Sequence, residues 1–164
     1  MKKIFFDIET TGLNPFLNKI LTIQLKKGPE IVLLKIWDMS DESKMIIKFL
    51  NILQNIRSNI PVYGYNCLKF DVPFIWTRLN INGFPSKEGY DILYNRKWVD
   101  LFQCLGGNYV PIDYWLKVHE IKRDCCYTGK HIPRLYREKK YKEIENHAID
   151  DLIVCEKLVD TLFK

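Results

Sequence analysis

The residues Ile4-Phe5-Phe6-Asp7-Ile8 constrain the fold most. They are apolar on both faces of a two-residue repeat until Asp7 interrupts it. A strand of that kind suits the centre of a sheet covered on both sides. Side chains two apart on a strand point the same way, so Asp7 and Glu9 project side by side at the strand's end, just before the turn Thr10-Thr11-Gly12-Leu13. Two carboxylates so placed repel each other. Either they fray into solvent, as most Asp-x-Glu pairs do, or a divalent cation between them turns repulsion into coordination.

Around this strand the chain reads as α/β. The stretch KILTIQLKKGPEIVLLKIW forms two further strands about a Gly28-Pro29 turn, and three strands in succession imply an antiparallel meander. Ser40, Asp41 and Glu42 offer a helix cap, after which Ile46, Phe49, Leu50, Leu53 and Ile56 recur at helical spacing. Pro61 to Asn66 is a short fourth strand, and a helix starts near Asp71, with Asp71 as cap and Pro73 in the first turn. Residues 82–97 hold two glycines and a proline and read as a loop with a short extended piece. Asp100 caps a short helix over Leu101 to Leu105. Helical pieces follow near Ile112 to Glu120 and Pro133 to Glu138, then a long helix from Lys139 to Phe163.

No internal repeat or linker divides the 164 residues, and 47% are hydrophobic, so a single domain over 1–164 suffices to bury a core. No apolar run approaches the ~18 residues that would span a bilayer, and the expectation is a soluble intracellular protein without a membrane partner. Five cysteines, an odd number, argue for free thiols rather than a disulfide framework.

The last helix tests the carboxylate reading. Ile144, Ala148, Cys155, Leu158, Val159 and Leu162 form one apolar stripe, with Asp151 near its centre and Asp150 about 100° away. A charge on a buried stripe must be paired or coordinate a metal. An arginine on the sheet would serve, but the strands carry few. His147, one turn before Asp151, lies on the edge of the same stripe.

Taken together, FDIETTGL, YNCLKFDVPFI and HAIDDLIVCEKL resemble, in order, the three motifs of the DEDD (DnaQ-like) superfamily of 3′-to-5′ exonucleases. The likeness spans nearly the whole chain and is greatest to stand-alone relatives of the proofreading exonuclease domain of family B DNA polymerases. It implies a ribonuclease H-like fold, a mixed sheet of meander and parallel strands flanked by helices. It also implies metal ligands at Asp7, Glu9, Asp71 and Asp151. One branch of the superfamily carries a tyrosine with three residues between it and the last aspartate, and another a histidine with four between. His147 has the residue of the second with the spacing of the first.

The expected activity is removal of nucleotides from the 3′ end of nucleic acid, single-stranded DNA before RNA, releasing nucleoside 5′-monophosphates. A non-catalytic nucleic-acid-binding module and an RNA exonuclease are the alternatives. General acid-base catalysis supplies roughly 10² to 10⁴ in rate, well short of what phosphodiester hydrolysis needs. Two Mg²⁺ or Mn²⁺ ions about 4 Å apart are therefore expected to carry most of the charge stabilisation. Asp7 would bridge them, Glu9 and Asp151 would complete the first site, and Asp71 would hold the second. His147 would orient or deprotonate the attacking water. By the resemblance, Thr10, Thr11, Gly12 and Leu13 meet the terminal nucleotide; Asn66 and Phe70 are further substrate contacts, Phe70 by stacking. From Lys117 to Lys142 nine Lys/Arg stand against three acids, and Lys139 and Lys140 are expected to offset the repulsion between the carboxylates and a polyanion. Replication or repair proteins are expected partners.

Overall fold

The computed structural model describes residues 3–39, 41–107 and 110–164. Its centre is β1 (Ile4–Thr10), flanked on one side by antiparallel β2 (Ile20–Lys27) and β3 (Glu30–Lys35) and on the other by parallel β4 (Val62–Gly64) and β5 (Trp98–Asp100). The order β3-β2-β1-β4-β5 makes the sheet mixed, as expected of a ribonuclease H-like fold. Both faces of β1 are covered, which is why its sequence is apolar on both. Ile4, Phe6 and Ile8 pack under α1 (Glu42–Gln54), α2 (Asp71–Ile81) and α3 (Lys87–Tyr94). Phe5 faces the other layer, made of α4 (Leu101–Cys104), α5 (Ile112–Val118), α6 (Ile132–Arg137) and α7 (Tyr141–Leu162). Asp7 and Glu9 share the side of Phe5 and therefore look toward α7.

Capping agrees with the sequence in two places. The Asp41 carboxylate accepts from Ser43 N–H at 2.6 Å, and the Asp100 carboxylate accepts from Phe102 N–H at 3.0 Å. Ser40, also read as a cap, lies outside the described residues. Asp71 is a correction: it is the first residue of α2, and its carboxylate accepts from Ile8 N–H at 3.1 Å instead of capping its own helix. The register explains this. β4 pairs with β1 only at Ile4 and Phe5, so beyond that point the β1 edge offers unpaired N–H groups.

Residues 82–97 are a second correction, since they contain α3, a helix and not a loop. Ser86 caps it by accepting from Gly89 N–H at 2.9 Å. Gly89, read as a breaker, is there for space: a Cβ would stand 3.1 Å from Leu79 Cδ2 on α2. Tyr90 and Tyr94 stack at 4.5 Å, and Trp76 of α2 meets Tyr90 edge-on, which gives so short a helix its packing. β5 follows it as the parallel edge strand.

One buried ion pair ties the layers on the α1 side. Arg78 of α2 donates from Nη2 to Glu42 Oε2 of α1 at 2.7 Å, and Glu42 Oε1 accepts from Ile20 N–H of β2 at 2.7 Å. Arg78 Nη1 also donates to Pro15 O at 3.1 Å, which anchors the loop between β1 and β2. Among the described residues no helix is long and apolar enough to cross a membrane.

Candidate active site

Three side chains from two elements converge beside β1. Glu9 sits near the strand's end, and α7 delivers His147 and Asp151 one turn apart on one face. His147 Nε2 lies 3.4 Å from Glu9 Oε1 and 3.4 Å from Asp151 Oδ2. One ligand atom from each of the three falls within 4.8 Å of the others. Both ring nitrogens of His147 are buried and, among the described residues, have no hydrogen-bond partner. Buried ring nitrogens without a partner are costly to keep unless a ligand or ion engages them.

Asp7 lines the adjoining cleft of about 150 Å³ with Asp151, Tyr65, Ile112 and Cys155. Its Oδ2 accepts from Gln24 Nε2 at 2.6 Å, across the β1–β2 pair in which the two residues stand opposite each other. Asp71 lies on the opposite edge of β1, held by the Ile8 N–H. Neither Asp7 nor Asp71 belongs to the tight Glu9-His147-Asp151 trio, but all four carboxylates feel one another electrostatically. Burial pushes the Asp7 and Glu9 carboxyls well above the usual range, and repulsion from the neighbouring acids adds to it. Burial likewise pushes Asp71 up to about 7, against the help of its backbone hydrogen bonds. Burial moves His147 the other way, below its ordinary value, so the imidazole is neutral at pH 7.

These residues fit a hard divalent cation. Crowded carboxylates whose ionisation is penalised by burial and mutual repulsion supply the oxygen donors that Mg²⁺ and Mn²⁺ prefer, and the imidazole stands beside them.

The loop after β1 is held from within. Thr10 Oγ1 donates to Gly12 O at 2.8 Å, Thr11 Oγ1 donates to Asn18 Oδ1 at 3.2 Å, and Thr11 N–H donates to Lys19 O at 2.9 Å. At Gly12 a Cβ would stand 2.6 Å from Asn18 Oδ1, so a side chain there would have to displace Asn18 from its bonds to Thr11 and Asn14 O. Leu13 is 83% exposed, with Phe16 and Leu17 exposed beside it. Asn66 adopts φ 60° where the chain leaves β4, and its N–H donates to Asp100 Oδ1 at 2.7 Å. Phe70 packs against Phe74 and the α1-side core. Lys139 and Lys140 stand at the turn into α7, about 10 Å along the helix from His147. Lys140 pairs with Glu138 at 2.7 Å.

The helical stripe assigned to α7 needs correcting at Asp150. Read as lying off the apolar stripe, it is buried at 5% exposure, while Asp151 is the more exposed of the two. The segment between α5 and α6 packs on that flank and supplies Arg123, whose guanidinium pairs with Asp151, with Asp150 Oδ2 at 3.1 Å and with Asp113 Oδ1 at 3.0 Å. Asp151 therefore does have an arginine partner, delivered by a loop and not by the sheet. Sequence reasoning counted Arg123 only as one charge in a basic run. Nothing in its own stretch marks it out, and the burial of Asp150, which requires a cation beside it, shows only in the structure.

Comparison with known proteins agrees with this architecture. A family model described as RNase H superfamily matches residues 4–163. An uncharacterized protein, MJ0365 of Methanocaldococcus jannaschii, is 31% identical over 115 residues, covering 66% of this chain and 57% of that protein. The family B DNA polymerase of the hyperthermophilic archaeon Pyrobaculum calidifontis superposes on 99% of this chain with a TM-score of 0.80 at 16% identity. The chain thus spans about half the length of the curated relative and 24% of the polymerase.

Proposed function

Because the chain belongs to the RNase H superfamily, we propose that residues 1–164 act as one 3′-to-5′ exonuclease domain. It removes terminal nucleotides from nucleic acid as nucleoside 5′-monophosphates. The observation that carries this reading is the convergence of Glu9, His147 and Asp151 within 4.8 Å, with Asp7 and Asp71 beside them. The fold shared with a DNA polymerase favours DNA over RNA as substrate, and the exposed Leu13 loop favours a frayed or single strand.

Asp7, Glu9, Asp71 and Asp151 would hold the divalent cations. When bound, Mg²⁺ or Mn²⁺ supplies an acidified water and neutralises charge building up on the phosphate and the leaving 3′ oxygen. The chain's own groups do the rest. Burial keeps His147 neutral, so Nε2 is able to take the proton of the attacking water as its oxygen bonds to phosphorus. The P–O3′ bond breaks, and the leaving 3′ oxygen takes a proton from solvent to become the 3′ hydroxyl of the shortened strand. Gln24 holds the Asp7 carboxylate and Ile8 N–H holds that of Asp71, so two of the four acids are oriented before substrate arrives.

Thr10, Thr11, Gly12 and Leu13 would receive the terminal nucleotide, the internally bonded loop presenting its backbone and Leu13 its apolar face. Asn66 and Phe70 would border the second strand edge. Lys139 and Lys140 would draw the phosphates toward a strongly acidic centre. Replication or repair proteins are the partners that such an activity suggests.

A gel time course on 5′-labelled single-stranded DNA and matched RNA tests the reading, with Mg²⁺, Mn²⁺ or EDTA. The expected result is a cation-dependent ladder shortening from the 3′ end. Binding of either strand without degradation under any cation would identify a binding module instead.

A further inference from the structure

Asp151 faces two ways. Its Oδ2 lies 3.4 Å from His147 Nε2, inside the candidate ligand trio, while its Oδ1 is taken by Arg123 Nη1. The guanidinium is only 14% exposed and is held from behind: Nε and Nη2 reach Asp113 Oδ1 at 3.0 Å, and Nη1 also donates to Asp150 Oδ2 at 3.1 Å. Asp150 is itself fixed, since its Oδ1 accepts from Asp124 N–H at 3.2 Å. A full positive charge is thus anchored against one of the carboxylates that a divalent cation would need. Arginine cannot lose its proton to relieve this conflict.

Resting on the exonuclease reading, we propose that Arg123 competes with the divalent cation for Asp151 and so sets the cation concentration at which the site fills. Asp150 and Asp113 are the alternative partners of the guanidinium. When a cation claims Asp151, Arg123 stays paired with those two acids and the molecule is not left with an unpaired buried charge. Asp150 then has a purpose that its burial on α7 otherwise lacks: it is the counterweight that lets Asp151 go. Charge repulsion between Arg123 and a divalent cation would act regardless of geometry. The exchange adds something repulsion does not, namely that the effect of Asp150 passes through Arg123.

Mn²⁺ binding followed by the paramagnetic signal of free Mn²⁺, without nucleic acid, separates these. Arg123→Gln is expected to tighten binding about tenfold. Asp150→Asn is expected to weaken it several-fold, because Arg123 then leans on Asp151 alone. In the double variant the Asp150→Asn effect should vanish, leaving the tightening of Arg123→Gln. Circular dichroism establishes that each variant is folded. If Arg123→Gln does not fold, Arg123→Met replaces it in the single and double variants and is read the same way, while unchanged or tighter binding in Asp150→Asn overturns the exchange by itself. Unchanged or weaker Mn²⁺ binding in a folded Arg123→Gln overturns the proposal while leaving the exonuclease reading standing, as does a full Asp150→Asn effect in the double variant. If no variant and not the wild type binds Mn²⁺, both readings fall.

Discussion

Two buried ionic clusters lie on opposite faces of the same sheet, and they are built on opposite principles. On the α1 side Glu42 is met by the fork of Arg78, by Ile20 N–H and by Asn82 Nδ2 at 3.1 Å, so both of its oxygens are engaged by donors. On the α7 side Glu9 meets His147 at 3.4 Å and is surrounded by Asp7, Asp71 and Asp151, whose repulsion adds to burial in raising its pKa. The first cluster is complete within the chain and locks α1, α2 and the β1–β2 loop together. The second is acidic in excess, an arrangement that costs free energy unless the acids hold protons or a cation from outside completes them. Burial alone therefore does not distinguish structure from function; the balance of donors and acceptors does.

The sharpest way to break the comparison is Asp7→Asn. Turnover on single-stranded DNA should fall to background while the thermal midpoint stays or rises, because a repelling carboxylate is removed; retained activity would dissolve the functional half of the contrast. His147→Ala comes next, with an expected loss of about 10² to 10⁴ in kcat if its nitrogen takes the proton. A loss below tenfold would make His147 a packing residue. Glu42→Gln should do the reverse of Asp7→Asn, costing about 3–5 kcal/mol of stability by stranding the Arg78 guanidinium, as a denaturant melt would reveal.

A pH series sharpens the same point. The raised Asp7, Glu9 and Asp71 carboxyls favour the folded state while protonated, and that contribution is lost as pH rises through their folded values, about 7 for Asp71. His147, lowered by burial from 6.5, works the opposite way at lower pH, so the carboxylates are read above it. In EDTA the thermal midpoint should drop by a few degrees between about pH 6.5 and 8. Asp71→Asn or added Mg²⁺ should flatten that drop, and a midpoint insensitive to both would show that the acids do not repel. The smallest effect is expected from reversing Lys139 and Lys140 to glutamate: weaker DNA binding at low salt, fading as salt rises.

Periodicity carried the sequence reading where one element's own pattern was enough. The doubly apolar run of β1 required a covered strand, the repeat of two put Asp7 beside Glu9, and the 3.6 period put His147 and Asp151 on one face of α7. It failed where a neighbour decides. Gly89 reads as a helix breaker until the close approach of Leu79 is known, and α3 was missed for that reason.

Asp71 looked like a cap because caps are local, yet its real partner, Ile8 N–H, lies 63 residues away on a strand edge that β4 leaves unpaired. Asp150 read as off the apolar stripe because a lone helix has one such stripe, and the chain between α5 and α6 covers a second flank. Arg123 had no pattern to betray it, sitting in a stretch without helix or strand.

By itself, then, the sequence determined the three-strand meander and the longer helices, and it put Asp7 beside Glu9 and His147 beside Asp151. Those follow from backbone geometry within each element. Which acids are paired by the chain and which are left short of a cation was decided only by the tertiary structure, because charge balance is a sum over neighbours from every layer.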